Sequence, residues 1–342
     1  MITKAIKQLK ANNHDKNIDN QKNEHTPDLA DENIAAVEQT VTPAGLPDSP
    51  ESENQQTSLS EDSPKTDTRK TIEIQISPNG NWHAQYEAVV GLSHRKSHPP
   101  LPCQDAAISI ARPHPFAISS DGAGSSATSE IGSFYVTRGI SRLFQTLDKQ
   151  MIAPLLDVPE TNGEACKKFA LLTVKHAQGI LKDLADEHRR PIKDFRCTLL
   201  ITLAGAVHTL WLKIGDGALV YETIKEIDGQ RICELKTLGD VGKGEYANTT
   251  TFIDEYLTQN DVQMGTMPSE HITALFCMSD GAAEKLVSTD GKRVSTRLSD
   301  WAELLRQRKL ARSKLSEAFY DKDFQNRHSG DDCSIAIISA EI

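Results

Sequence analysis

Five acidic positions stand where an apolar segment stops or starts: Asp105 in PCQDAAISI, Asp121 in FAISSDGAG, Asp216 in LKIGDGALV, Asp280 in LFCMSDGAA and Asp331, followed by Asp332, in HSGDDCSIAII. Ser-Asp-Gly-Ala occurs twice, each copy directly after a hydrophobic run. One Asp-Gly at a strand end is an ordinary turn. Several carboxylates gathered at the ends of buried strands would repel one another and resist leaving water, unless cations neutralised them. Hard divalent ions such as Mg²⁺ and Mn²⁺ take oxygen ligands and suit aspartate combined with backbone carbonyls and water. A glycine after the aspartate lets the main chain approach such an ion closely.

The elements that must carry these residues read as strands interrupted by helices. Ile72, Ile74 and Ile76 alternate with Glu73 and Gln75, the period of a half-buried strand. Further strands are expected over 85–92, 106–111, 115–119, 198–205, 209–214, 219–225, 232–238, 249–256, 271–278 and 333–339. Many are joined by short turns containing Gly or Asp, which favours antiparallel pairing. A helix is expected over 127–147, with Ile131, Tyr135, Ile140, Leu143, Phe144 and Leu147 near one face and Ser125 or Ser126 as N-cap. A second, over about 162–188, opens on the capping-box pattern Thr161-x-x-Glu164 and carries Phe169, Leu172, Ile180 and Leu184. A third helical region, near 299–319, precedes the last strand. The pattern predicts an α+β fold in which antiparallel sheets pack face to face under helices. Before it, residues 1–70 form an acidic, polar stretch with almost no aromatic residues, expected to be a disordered tail. The folded domain is expected over 71–342.

In this order CQDA, SDGAG, IGDG, MSDGA and GDDCSIAII resemble the successive motifs of the metal-dependent serine/threonine phosphatases, the protein phosphatase 2C family, in a bacterial form. The resemblance covers about residues 88–339. It implies a four-layer α/β/β/α sandwich, two antiparallel sheets flanked by helix pairs. It also implies hydrolysis of phosphoserine or phosphothreonine in proteins by water activated between two Mn²⁺ or Mg²⁺ ions, without a phospho-enzyme. Asp121 matches the aspartate bridging the two ions, and Gly122 a carbonyl ligand of one of them. Asp280 and Asp331 match ligands of the other ion, Asp105 a residue holding metal-bound water, and Asp216 one of a third, weaker site. The partners implied are a phosphorylated protein and a cognate serine/threonine kinase or von Willebrand-type domain protein. None of the six cysteines has the Cys-x5-Arg spacing of a phosphate-cradling thiolate.

The sequence departs from the family at two places. Pro100 stands where many relatives hold substrate phosphate with an arginine, and Gln104 replaces an acidic neighbour of Asp105. His94, Arg95 and His98 in GLSHRKSHPP are the nearby residues that could contact phosphate instead. Ala123 occupies the place of a histidine that serves some relatives as general acid. A catalytically silent module of the same fold, binding phosphoproteins or signalling partners, is therefore the alternative to an active enzyme. The Gly-rich TLGDVGKGEYANTTTF lacks the ending of a nucleotide P-loop and reads as a flap beside the site. Trp82, Trp211 and Trp301 read as packing residues, His176 as an ordinary helix histidine and His208 as a hairpin-turn residue.

Composition narrows the classes further. A formal net charge of −10, with no basic stripe, argues against a nucleic-acid partner. Six scattered cysteines without a CxxC pair fit free thiols in a reducing compartment. MITKAIKQLK is followed by no apolar signal core, and no apolar run reaches membrane-span length, so a cytoplasmic location is expected. Outside the expected core no long apolar stripe is left, so the chain is expected to be a monomer.

Overall fold

The apolar runs become strands buried on both faces. The computed structural model describes residues 71–76, 80–160, 162–240 and 250–342; the tail and residues 241–249 of the Gly-rich segment lie outside them. Among the described residues one sheet runs β1 (Thr71–Glu73), β7 (Ala218–Ile227), β10 (Ala274–Met278), β11 (Cys333–Ala340) and β2 (Trp82–Val89), with β8 (Gln230–Leu238) also paired to β7. The other runs β3 (Asp105–Ile110), β4 (Phe116–Asp121), β5 (Leu199–Ala204), β6 (His208–Ile214) and β9 (Gln263–Pro268). Every pairing is antiparallel.

Side-chain alternation explains why β10 is apolar throughout. Ala274, Phe276 and Met278 join a cluster with the helices, whereas Leu275 and Cys277 join the cluster between the sheets. β5 divides likewise: Leu199, Ile201 and Leu203 face helices, Leu200 and Ala204 the other sheet. The helices α2 (Ser129–Leu147) and α4 (Gly163–His188) cover the second sheet. There Phe144 meets Phe116 edge-on at 5.4 Å and stacks on Phe169 at 5.9 Å. The helices α6 (Arg297–Arg306) and α7 (Arg312–Tyr320) cover the first sheet through Leu298, Trp301, Leu305, Leu315 and Phe319. Burying each such large side chain stabilises by about 1.5–3 kcal/mol. Among the described residues four further short α-helices are present: α1 (Leu92–Lys96), α3 (Ala153–Leu156), α5 (Asp280–Leu286) and α8 (Lys322–Gln325). The result is the expected α+β sandwich of two antiparallel sheets between helices.

Several local expectations are corrected. Helix α2 is entered through Thr128, because the Ser126 hydroxyl donates to the Lys193 carbonyl at 2.6 Å instead of capping. Helix α4 is capped by Asn162, whose side chain accepts from the Ala165 amide; Thr161 lies outside the described residues. The expected strand 249–256 reduces, over its described part, to a single bridge between Ile253 and Cys197. Strand β9, QMGTMP, was not anticipated, because an edge strand ending in proline carries neither alternation nor a β-branched run.

Candidate metal centre and cleft

Strand register brings the acidic residues to one end of the sandwich. β3 and β4 pair so that Asp105 stands opposite Asp121. β7 and β10 pair so that Ala218, just past Asp216, stands opposite Met278, just before Asp280. One carboxylate oxygen each from Asp121, Asp216 and Asp280 lie within 4.8 Å of one another. These three, with Asp331, Gly122, His94, Thr250 and Phe252, line an open cleft of about 400 Å³.

The two Ser-Asp-Gly-Ala glycines have protein neighbours that require them. A Cβ on Gly122 would lie 2.8 Å from the Ser129 side chain and 2.9 Å from the Gln104 carbonyl oxygen. On Gly281 it would lie 2.1 Å from the Asp332 carbonyl oxygen. The sequence ties these glycines to close approach of an ion; close approach of the chain itself already demands them.

The electrostatics of the cluster are unbalanced. Both Asp105 oxygens are buried without a hydrogen-bond partner. Burial pushes the Asp105 carboxyl up to about 8, and the charges of Asp332 and Asp280 add to the rise. Asp121 is held well above the usual carboxylate range by burial and then by Asp105 and Asp280. Burial, Asp216 and Asp331 push Asp280 up to about 6. The bonds that do form orient the ligand oxygens without neutralising them. Asp216 Oδ2 accepts from Thr250 Oγ1 at 2.6 Å, Asp280 Oδ1 from the Gly281 amide at 2.7 Å and Asp331 Oδ1 from the Asp332 amide at 2.9 Å. A divalent cation removes the repulsion and satisfies an all-oxygen donor set, so these residues fit such an ion.

Asp332 has a different task. Its carboxylate accepts from the Gly91 amide at 2.6 Å, the Gln104 amide at 2.5 Å and His94 Nδ1 at 3.0 Å. It thus ties the 91–104 loop to the start of β11. Of the three basic residues that the sequence offers for phosphate, only His94 lines the cleft, with Nδ1 engaged by Asp332. The Arg95 guanidinium lies 4.5 Å from the Tyr320 ring centroid, and exposed His98 is not part of the cleft lining. Ala123 lines the cleft and carries no polar group there, while Pro100 is exposed. All six cysteines are free, and burial with acidic neighbours pushes the Cys103 and Cys333 thiols up, away from thiolate chemistry.

Two site features escape motif reading. Asp332 is hidden behind Asp331 in one motif, and only its contacts separate their roles. Arg196 lies three residues before the start of β5, far from every motif, yet its carbonyl accepts from the Ala123 amide at 2.9 Å. The pairing of the β5 entry with the chain after β4 brings it there, a relation that spacing along the sequence does not record.

With this geometry the chain matches known proteins. The family model for protein phosphatase 2C matches residues 90–319. The chain belongs to the protein phosphatase 2C family. Serine/threonine-protein phosphatase 3 of Escherichia coli strain K12 is 29% identical over 185 residues, 51% of this chain and 64% of that protein. The match thus spans less than two thirds of that relative's length. Among solved structures, PppA, described as a key regulatory component of T6SS in Pseudomonas aeruginosa, superposes with a TM-score of 0.50 at 14% identity. It covers 78% of this chain and 99% of that one. A variant of a bacterial serine phosphatase gives 0.50 at 14% identity, over 76% of this chain and 97% of its own. Among the described residues no helix is long and apolar enough to cross a membrane.

Proposed function

We propose that this protein is a metal-dependent protein phosphatase that hydrolyses phosphoserine and phosphothreonine monoesters. The observation carrying this reading is the set of carboxylates gathered at the cleft with no ion-pair partner among the described residues, backed by the buried Asp105 oxygens. Asp121, Asp280 and Asp331, with the Gly122 carbonyl, would hold two Mn²⁺ or Mg²⁺ ions, and Asp216 a third; bound there, they supply Lewis-acid charge and an activated water for in-line displacement at phosphorus. Asp105, opposite Asp121 on the neighbouring strand, would ionise only once cations neutralise the cluster, and would then hold a water bound to them. The Asp332–His94 pair keeps the 91–104 loop against the site. Phe252 forms part of one wall of the cleft.

The substrate in this reading is a phosphoprotein produced by a serine/threonine kinase, a von Willebrand-type domain protein is a further partner, and the protein acts as a cytoplasmic monomer. Residues 71–342 are its catalytic domain, preceded by the tail. Hydrolysis of a phosphothreonine peptide with Mn²⁺, Mg²⁺ or EDTA tests the reading. Turnover that requires metal and is lost in Asp121→Asn and Asp280→Asn supports it. Folded protein without turnover on any metal sinks it and favours the silent module, for which Ala123 and Pro100 in place of the histidine and arginine are the specific observations.

A further inference from the structure

A phosphate monoester is a dianion, and its non-bridging oxygens need donors from the protein as well as from metal. Pro100 offers none, Arg95 is stacked on Tyr320, and His94 Nδ1 is engaged by Asp332. Arg196 differs from these in its surroundings. Its main chain is clamped to the metal centre: its carbonyl accepts from the Ala123 amide, and Cys197 bridges Gly122. Just beyond, the Thr198 amide donates to the Asp121 carbonyl at 2.8 Å and Thr198 Oγ1 accepts from the Asp121 amide at 2.9 Å.

The side chain stays at the same place. The guanidinium carbon lies 5.7 Å from the ring centroid of Phe252, a residue of the cleft wall, and one terminal nitrogen is 3.4 Å from Ser125 Oγ, next to the cleft residue Gly124. Arg196 Nε is buried without a hydrogen-bond partner, and among the described residues the guanidinium forms no ion pair with a carboxylate. A buried N–H left without an acceptor is costly, and a planar guanidinium held against an aromatic face matches two phosphate oxygens at once. What the arrangement lacks is an anionic acceptor.

We infer that Arg196 binds the substrate phosphate at the rim of this cleft, supplying the cation that Pro100 does not. The inference rests on the phosphatase reading above. The test compares wild type, Arg196→Ala, Arg196→Lys and Arg138→Ala, with Mn²⁺ and a phosphothreonine peptide, and measures kcat, KM, inhibition by inorganic phosphate and Tm. Arg138 is a control for aromatic stacking, since its guanidinium lies 5.4 Å from the Phe134 ring on α2, away from the cleft. Arg196→Ala should raise KM and the phosphate inhibition constant together, by roughly 10- to 100-fold, with a smaller change in kcat. Arg196→Lys should recover part of the loss, and Arg138→Ala should change neither constant. If KM and phosphate inhibition in Arg196→Ala stay within about twofold of wild type, or only kcat and Tm fall, the inference is overturned. If wild type turns over nothing with any metal, the phosphatase reading fails on its own. Fluorescence anisotropy of the labelled phosphopeptide then decides Arg196: weaker binding in Arg196→Ala keeps the inference, and equal binding overturns it.

Discussion

Glu222 and Asp105 are both carboxylates sealed inside the sandwich, each with a buried oxygen that lacks a hydrogen-bond partner, and they differ in whether the chain supplies a cation. On β7, Glu222 Oε1 accepts from two nitrogens of Arg306 at 2.5 and 3.0 Å and from Thr273 Oγ1 at 2.8 Å. Arg306 reaches it from α6 with only 6% of its side chain exposed. Burial still pushes the Glu222 carboxyl up, with Arg306 opposing the rise. Beside the cleft, neither buried Asp105 oxygen has a donor in hydrogen-bond geometry, the Ser279 hydroxyl only tempers the rise of its carboxyl, and its charged neighbours are further carboxylates. Where a buried acid serves to fasten a helix to a sheet, the chain supplies the cation. Where no cation is supplied among the described residues, the acid cluster fits one taken from solution.

The comparison breaks first at the acidic cluster. Asp121→Asn and Asp280→Asn should each reduce metal-dependent turnover by more than about 10³-fold, since each removes several kcal/mol of charge stabilisation. Their Tm without metal should stay level or rise, because each also removes a repelling charge. A fall in Tm matching the loss of activity would mean that the cluster is architectural, like Glu222.

Next in size is the paired site. Arg306→Ala should cost about 3–5 kcal/mol in urea unfolding by leaving Glu222 buried without its cation. KM of the protein still folded should be unchanged. A stable Arg306→Ala variant would remove the contrast from that side.

Metal binding sharpens the contrast with a smaller effect. Mn²⁺ at 100 times its Kd should stabilise wild type by about 2.7 kcal/mol. In thermal melts Asp280→Asn should show little of this gain, and Arg306→Ala should show all of it above its lower baseline.

The smallest effect is in pH. The Asp105 carboxyl rises to about 8 in the folded protein, so the native state keeps a proton that the unfolded chain has shed. Stability of EDTA-treated protein should therefore fall as pH rises from 6 to 8, by about 1 kcal/mol per unit. Asp105→Asn should reduce that slope, leaving the part that comes from the raised Asp121 carboxyl, and Mn²⁺ should abolish it. An unchanged slope in Asp105→Asn would show that the buried acid is compensated after all.

Much of this was legible in the residues. The apolar runs that become β5, β10 and β11 announce strands covered on both faces, and the Asp-Gly pairs mark the ends where acids gather. The five motifs in order carry the family, and with it the two-sheet sandwich. Helix boundaries were read less well, because Ser126 finds a distant carbonyl rather than its own helix. The strand expected over 249–256 shows how an alternating stretch becomes loop when only Ile253 has a partner to pair with.

Which residues are acidic, where the chain must turn and which stretches leave water follow from side-chain chemistry and local periodicity alone. It took the folded chain to show that Asp105 faces Asp121, that Asp332 is bound to the 91–104 loop while Asp331 faces the cleft, that Arg95 turns to Tyr320 and that Arg196 comes beside Phe252. Each of these depends on strand register and on contacts between segments far apart in the chain. Carboxylate and guanidinium energies are set by neighbours a few ångströms away, and a linear pattern does not carry those distances.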